Sequence, residues 1–454
     1  MEFTLPRLAR GQFRSLAAAL FLLLLVLFGC SRERGLKDVA PEGMKIGVAV
    51  HPNRLANPAF AAQVRHDFNS VVPEVALKHE WIHPCPPRWL VEQNPSVAAW
   101  ISTYSGGGED RDAQRDCRED PSEWNWEPMD AIVRWANAND VGVYMHPLVW
   151  HSQNPGWLTH PSITLTAEEL DRVMREHIDG IIAHYCEVDE GSIYAYNVVN
   201  EAVAEDGTLY SGGPWPAIGD DYVYRAFLYA SEALEQQCPD RDIKLFYNDH
   251  GFEFGPFEWD ERGQPASWAA GVYALLETLQ SGERPLVDGL GMQSHLRLYQ
   301  AGQPPAEPYT YTPLWEPKQM TEVMNIFSRT FDIEIHISEL DVSLRRWREV
   351  CDPDAPRPPL GGGDCPITDP DPRELFDEQA EWFRNAALAC LQAERCTGLQ
   401  VWGLADNLSW LRDFRPTMFE LCPDDDMPPS TTSSTYCPKP AYRAVYEVLD
   451  EPRE

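Results

Sequence analysis

The chain is short of positive charge. Its 454 residues carry 37 Lys and Arg against 71 Asp and Glu, a formal net charge of −34. A body of that sign repels nucleic acid and anionic lipid surfaces, so neither is expected as a partner. A run of membrane-spanning length is missing as well. The apolar segment 16–29 has 14 residues, where a spanning helix needs about 20. There is no internal repeat, no serine-rich linker and no separable second module. No Cys/His spacing suggests a zinc site, and nothing calls for a cofactor.

What the chain does have is a series of short, β-branched segments, each ending in a polar or aromatic group: 45–50, 68–74, 141–146, 193–201, 244–249, 287–295, 333–341 and 398–403. Helical patterns lie between them at 129–138, 167–185, 222–236, 319–329 and 374–391. The third is apolar at Tyr222, Val223, Ala226, Phe227, Tyr229, Ala230 and Ala233, a 3.6-residue period. Strand alternating with helix eight times predicts an α/β fold, the (β/α)8 TIM barrel, as a single domain over 41–454. Catalytic groups of such barrels project from the C-terminal ends of the strands. Glu201 closes the segment Ile193-Tyr-Ala-Tyr-Asn-Val-Val-Asn200-Glu201, and Glu339 closes Ile333-Glu-Ile-His-Ile-Ser-Glu339. Either glutamate alone would be unremarked beside a strand. Two carboxylates facing each other at that edge can cleave a glycosidic bond, one donating a proton while the other attacks the anomeric carbon.

The segments resemble glycoside hydrolase family 10, the retaining xylanases. The matching residues are Pro73-Glu74…Lys78, His146-Pro-Leu-Val-Trp150-His151-Ser-Gln153, Asn197-Val-Val-Asn200-Glu201, Asn248-Asp249, Gln293-Ser-His295-Leu, Ser338-Glu339-Leu-Asp341, Trp402-Gly403…Asp406…Ser409-Trp410 and Lys439-Pro-Ala-Tyr442, all in family order. The resemblance implies β-1,4-xylan as substrate, Glu201 as general acid/base and Glu339 as nucleophile. It implies that His295 hydrogen-bonds Glu339, that Asp341 orients His295, and that Asn200 binds the 2-hydroxyl of the reacting sugar. Glu74, Lys78, His146 and Gln293 would make further polar contacts, and Trp150, Trp402 and Trp410 would wall the sugar. A satisfied core histidine is the alternative for His295. The flanks depart from the pattern: Val75 stands where the family carries Asn, His79 where it carries Trp, and His250-Gly251 where it carries Tyr-Asn. A subsite on the non-reducing side and the lining of the leaving-group side are therefore expected to differ.

The N-terminus places Arg7, Arg10 and Arg14 before the apolar segment 16–29, then Cys30, the layout of a signal peptide. Leu27-Phe-Gly-Cys30 resembles a bacterial lipobox, in which the cysteine is lipidated after cleavage. Ordinary signal cleavage nearby is the alternative. This reading makes 1–29 a leader and 30–40 a short polar tether. The enzyme is then a monomeric lipoprotein held by its acyl chains at the outer membrane, on the cell surface or in the periplasm. Removing 1–29, with its three Arg and one Glu, takes the net charge to −36. Of 11 Cys, lipidation of Cys30 leaves an even set, suited to an oxidising compartment. The family resemblance suggests Cys390–Cys396; Cys351–Cys365, Cys422–Cys437, Cys85–Cys117 and Cys186–Cys238 would complete the pairing. Residues beyond a minimal barrel fall in loops at 82–127, 296–317, 346–373 and 412–435, on the catalytic face. Two other functions stay open: a family member acting on other β-glycans or short oligosaccharides, and a surface lipoprotein that binds glycans without cutting them.

Overall fold

The computed structural model describes residues 34–103, 117, 124–282, 284–299, 316–346, 364–367, 373–422 and 436–452. Eight strands form the barrel: β1 (Lys45–Val50), β2 (Ser70–Pro73), β3 (Gly142–Met145), β4 (Ile193–Asn200), β5 (Lys244–Asp249), β6 (Gly289–Met292), β7 (Glu334–Arg346) and β8 (Cys396–Val401). Each pairs in parallel with the next in chain order, and β1 pairs with β8 to close the ring. A helix follows every strand: α1 (Pro58–Asp67), α2 (Glu127–Asn139), α3 (Ala167–Val188), α4 (Tyr222–Gln237), α5 (Trp268–Gln280), α6 (Pro317–Phe331), α7 (Arg373–Gln392) and α8 (Pro440–Asp450). This is the (β/α)8 barrel expected from the sequence.

Strand alternation divides the core in two. Ile46, Val48 and Val50 of β1 face the helices and join the large core between sheet and helical ring, whereas Ala49, Val72, Tyr144, Ala195, Phe246 and Trp402 fill the barrel interior. The helices supply a matching stripe. In α3, Leu170, Val173, Met174, His177, Ile178, Ile181, Ile182 and Tyr185 are buried at three- and four-residue spacing. Its start is fixed by a reciprocal cap, Glu169 N–H to Thr166 Oγ1 at 3.1 Å and Thr166 N–H to a Glu169 carboxylate oxygen at 2.8 Å, worth about 1 kcal/mol.

Several boundaries differ from expectation. The predicted tether 30–40 ends early, because Leu36–Val39 is a short helix with Leu36 and Val39 buried. Leu36 N–H bonds Asp67 Oδ1 at 3.3 Å, Lys37 Nζ bonds the Arg65 carbonyl, and Arg34 bonds Asp450 at 3.2 Å. The loop expected over 82–127 contains helices Arg88–Gln93 and Pro95–Thr103. Strand β7 runs past Glu339 because His295–Tyr299 forms a parallel strand beside it, where a loop was expected from Leu296 onward. Disulfides join Cys85–Cys117, Cys186–Cys238, Cys390–Cys396 and Cys422–Cys437. Cys365 is also disulfide-bonded; Cys351, its expected partner, lies outside the described residues, as do Cys30 and the leader. Among the described residues no helix is long and apolar enough to cross a membrane.

Candidate active site

The C-terminal rim of the barrel brings the two glutamates into one hydrogen-bonded system. At the end of β4 the chain turns sharply, and Glu201 takes φ 54°, a left-handed conformation unusual for a residue with a side chain. Its Oε1 accepts from Gln293 Nε2 and its Oε2 from Trp150 Nε1, both at 2.8 Å. Glu339, on β7, accepts from Asn248 Nδ2 at 2.8 Å through Oε1 and lies 3.3 Å from His295 Nε2 through Oε2. Asn200 stands between them. Its Oδ1 accepts from Asn248 at 2.8 Å, Asn197 at 3.2 Å and Gln293 at 3.3 Å. A chain of amides thus runs from one carboxylate to the other. With Oδ1 occupied three times, Asn200 has its Nδ2 donor to offer a ligand.

Charge is distributed unevenly across this system. Burial alone would lower the His295 pKa, but Asp341 on one side and Glu339 on the other lift it to about 10, so the ring is an imidazolium at neutral pH. Its Nδ1 sits 3.0 Å from Asp341 Oδ2, and the same oxygen accepts from Trp410 Nε1 at 2.9 Å. Burial would raise the Glu339 carboxyl; His146, His295 and the Asn248 amide reverse that and hold it below the ordinary range. His146 goes the other way. Burial pushes it down to about 4 against the pull of Glu339, leaving a neutral ring whose Nδ1 is met by Asn197 Nδ2 at 2.9 Å. The proton is thereby assigned to Nε2.

The remaining predicted residues gather at the same rim with different partners. Lys78 donates to Gln153 Oε1 at 2.5 Å and lies 4.8 Å above the Trp150 ring. Burial lowers its pKa, opposed by Glu339, Glu74, Glu201 and Glu80. Glu74 is engaged by Arg54 at 2.8 Å, so the carboxylate expected to meet sugar is part of an ion pair. Trp402 is buried, 5.3 Å from the His146 ring, and forms the floor. Trp410 is 39% exposed and leans on His295 at 5.0 Å.

Two residues central to this geometry were not assigned a role from the sequence. Asn248 bonds both Asn200 and Glu339, and its Oδ1 accepts from Ser338 Oγ at 2.5 Å. It fits because position 291 is glycine, where a Cβ would fall 2.0 Å from Asn248 Oδ1. Gln153 links Lys78 to Glu80. The Asn248-Asp249 motif was the available signal for the first, and the end of the motif running from His146 to Gln153 for the second.

The structure also assembles His79, His83 and His177, all buried, with one nitrogen from each within 4.8 Å of the others. Sequence spacing hid this group, since His177 lies 94 residues beyond His83. A bound metal must lie near the plane of each imidazole, along its lone pair. Here the His79 and His177 rings stack face to face at 4.0 Å, so their lone pairs run parallel instead of converging. The rings belong to a stacked pillar that includes Trp124, Trp126, His184 and Trp215. Trp215 Nε1 bonds the Trp150 carbonyl at 2.8 Å, so the pillar ends beneath the site. His79, where the resemblance expects Trp, is therefore a core ring.

Paired carboxylates on a barrel rim, one held ionised between an imidazolium and an amide, are the apparatus of a glycoside hydrolase. The chain belongs to glycosyl hydrolase family 10, whose model matches residues 35–448. It is 25% identical over 438 residues to endo-1,4-beta-xylanase B of Thermotoga neapolitana, covering 94% of this chain and 97% of that one. It is 29% identical over 317 residues to endo-1,4-beta-xylanase D of Talaromyces funiculosus, covering 70% of this chain and 61% of that one. Against endo-1,4-beta-xylanase A of Caldicellulosiruptor it spans 43% of the relative's length, so some relatives are much longer. Among solved structures, xylanase 10B of Thermotoga maritima superposes with a TM-score of 0.63 at 25% identity, over 92% of this chain and 98% of that one.

Proposed function

We propose that the chain is an endo-β-1,4-xylanase working by double displacement. The observation that carries this is the asymmetry of the two glutamates. Glu339 is held as an anion by His295 and Asn248, while Glu201 takes its hydrogen bonds from the neutral donors Trp150 and Gln293, with His151 Nε2 further off at 3.8 Å. In the first step a Glu339 oxygen bonds the anomeric carbon as the glycosidic C–O bond breaks, and Glu201 passes its proton to the departing oxygen. In the second, Glu201 takes a proton from water, whose oxygen displaces Glu339. Asn200, through Nδ2, serves the 2-hydroxyl. Neutral His146 and Lys78 donate to sugar hydroxyls, and Trp150, Trp402 and Trp410 meet the apolar ring faces. Product analysis on a panel of xylans and β-glucans tests the reading; release of xylo-oligosaccharides from within the chain is expected, and cleavage of glucans alone would overturn it. The Glu74–Arg54 pair and Val75 favour altered preference for side chains beyond the cleavage site.

Replacing Glu201 by Ala separates substrates by leaving group. Aryl glycosides with good leaving groups still form the covalent intermediate, whereas xylan and poor leaving groups lose about 10²–10⁴-fold in kcat/KM. Equal losses on both kinds would remove the acid/base assignment.

We also propose lipidation at Cys30, on the strength of the Leu27-Phe-Gly-Cys30 segment after 16–29. Cys30→Ser is then expected to shift the protein from the membrane fraction to the soluble one or to block its maturation. An unlipidated N-terminus in the wild type, seen by mass spectrometry, would count against it.

A further inference from the structure

The turn carrying Glu201 is held from behind by the end of β5. Three successive amides of that turn are bound there. Glu201 N–H donates to the Asn248 carbonyl at 2.9 Å, Ala202 N–H to Tyr247 Oη at 3.0 Å, and Val203 N–H to Asp249 Oδ2 at 3.3 Å. Tyr247 donates its own hydroxyl to that same Asp249 oxygen, and His250 N–H donates to Asp249 Oδ1 at 2.9 Å. The β5 strand alternates, so Phe246 and Asn248 point into the barrel while Tyr247 and Asp249 point away from it. Both of the latter are fully buried. Their side chains sit behind the catalytic rim, while the Asp249 carbonyl accepts from Gln293 N–H at 2.9 Å.

A core tyrosine and a core aspartate are costly to bury without a purpose for their polar atoms. Here those atoms serve the peptide groups beside a strained residue. A left-handed φ of 54° at Glu201 persists only where surrounding contacts impose it, and the contacts on the following amides come from Tyr247 and Asp249. The Asp249 carboxyl is pushed well above the ordinary range by burial, against the Tyr247 hydrogen bond, and further by the charge of Glu201, which places the two carboxyls in electrostatic reach of each other.

We propose that Tyr247 and Asp249 are positioning residues for Glu201, holding the 201–203 turn in the left-handed conformation that presents its carboxyl to Trp150, Gln293 and the scissile oxygen. The proposal rests on the reading of Glu201 as acid/base, and the test separates the two. Tyr247→Phe keeps the packed ring and removes the hydroxyl that joins Ala202 to Asp249. Asp249→Asn keeps one acceptor oxygen and replaces the other with an amide donor.

Both variants, with Glu201→Ala and wild type, would be assayed as full-length protein for kcat/KM on a phenyl and a dinitrophenyl β-xylobioside. A displaced acid harms the poor leaving group, which needs the proton, and spares the good one. Tyr247→Phe is expected to lose roughly 10–100-fold on the phenyl substrate and less than about threefold on the dinitrophenyl one. Asp249→Asn should show the same pattern with a smaller loss. Equal losses on both substrates, while Glu201→Ala still discriminates, would mean the pair only supports the fold and would overturn the proposal. So would wild-type values in either folded variant. If Glu201→Ala itself fails to discriminate, the acid/base assignment falls and takes the proposal with it. Melting curves establish folding, and should Tyr247→Phe not fold, Asp249→Asn carries the same comparison.

Discussion

Glu339→Ala should abolish turnover on every glycoside, with losses on the order of 10⁴-fold or more on good and poor leaving groups alike. The reason is that, in the proposed mechanism, Glu339 is the carboxylate that attacks the anomeric carbon. Glu339 is fixed there by Asn248 at 2.8 Å and His295 at 3.3 Å. Removing its side chain leaves space and a cationic imidazole. Azide is small and anionic, so it should enter that space, attack from the side Glu339 occupied and release a glycosyl azide of inverted configuration. The measurement is product stereochemistry by NMR with and without azide on an activated xyloside. Wild-type-like hydrolysis, or a folded mutant that azide rescues with retention, would show that the nucleophile lies elsewhere.

Mild acid should destabilise the protein steeply. Burial lowers His79 and His83 well below 6.5 and takes His177 to about 3, with His146 near 4 and His336 near 3. These groups are neutral in the folded state and become protonated on unfolding below pH 6.5. Their contribution is therefore complete above pH 6.5 and declines as pH falls towards the folded-state values. Each such histidine removes about 1.4 kcal/mol per pH unit in that window. The stacked three together would remove about 4 kcal/mol per unit, a large part of a typical 5–15 kcal/mol. Asp249, raised in the folded state, works in the opposite direction. The melting temperature should drop on the order of 10 °C from pH 6.5 to 5.5. His79→Phe should flatten the slope by about a third of the stack's contribution, because both nitrogens of His79 already lack partners and the ring stack survives. Parallel pH–melting curves for the two proteins would refute this origin. His295, raised to about 10, gives its full stabilisation below pH 6.5 and so adds no slope there; that stabilisation fades as pH rises from 6.5 through 10.

How far the sequence could be read depended on where the information lay. The barrel strands were legible because runs such as 45–50 and 193–200 are β-branched and end in polar groups. Helices α2, α3, α4, α6 and α7 showed through a one-sided apolar stripe. Helix α5 did not, because Trp268–Gln280 is apolar on most of its circumference and has no period to find. Helix α1 is mostly small and polar residues, and α8 was read only for its Lys439-Pro-Ala-Tyr442 motif. The site residues that carry chemistry in their own side chains stood out as motifs. Those that act by holding others, Asn248, Gln153 and Tyr247, became visible only with their partners in place. The histidine stack depended on a contact between α3 and the segment after β2 that no local pattern announces.

The small helix Leu36–Val39 has a bearing on how the enzyme meets its polymer. It packs against the end of α1 and, through Arg34, the end of α8, the side of the barrel where strands begin. Three residues separate Cys30 from Arg34, and a fully extended chain spans only about 3.3–3.6 Å per residue. An acyl anchor at Cys30 would hold the barrel base-down on the bilayer, with little freedom to roll. The cleft would then open outward, on the face most distant from the lipid, where a long insoluble chain can lie across it. Lipidation would fix orientation as well as address, and an anchored enzyme would graze on fibres brought to the cell instead of diffusing into them.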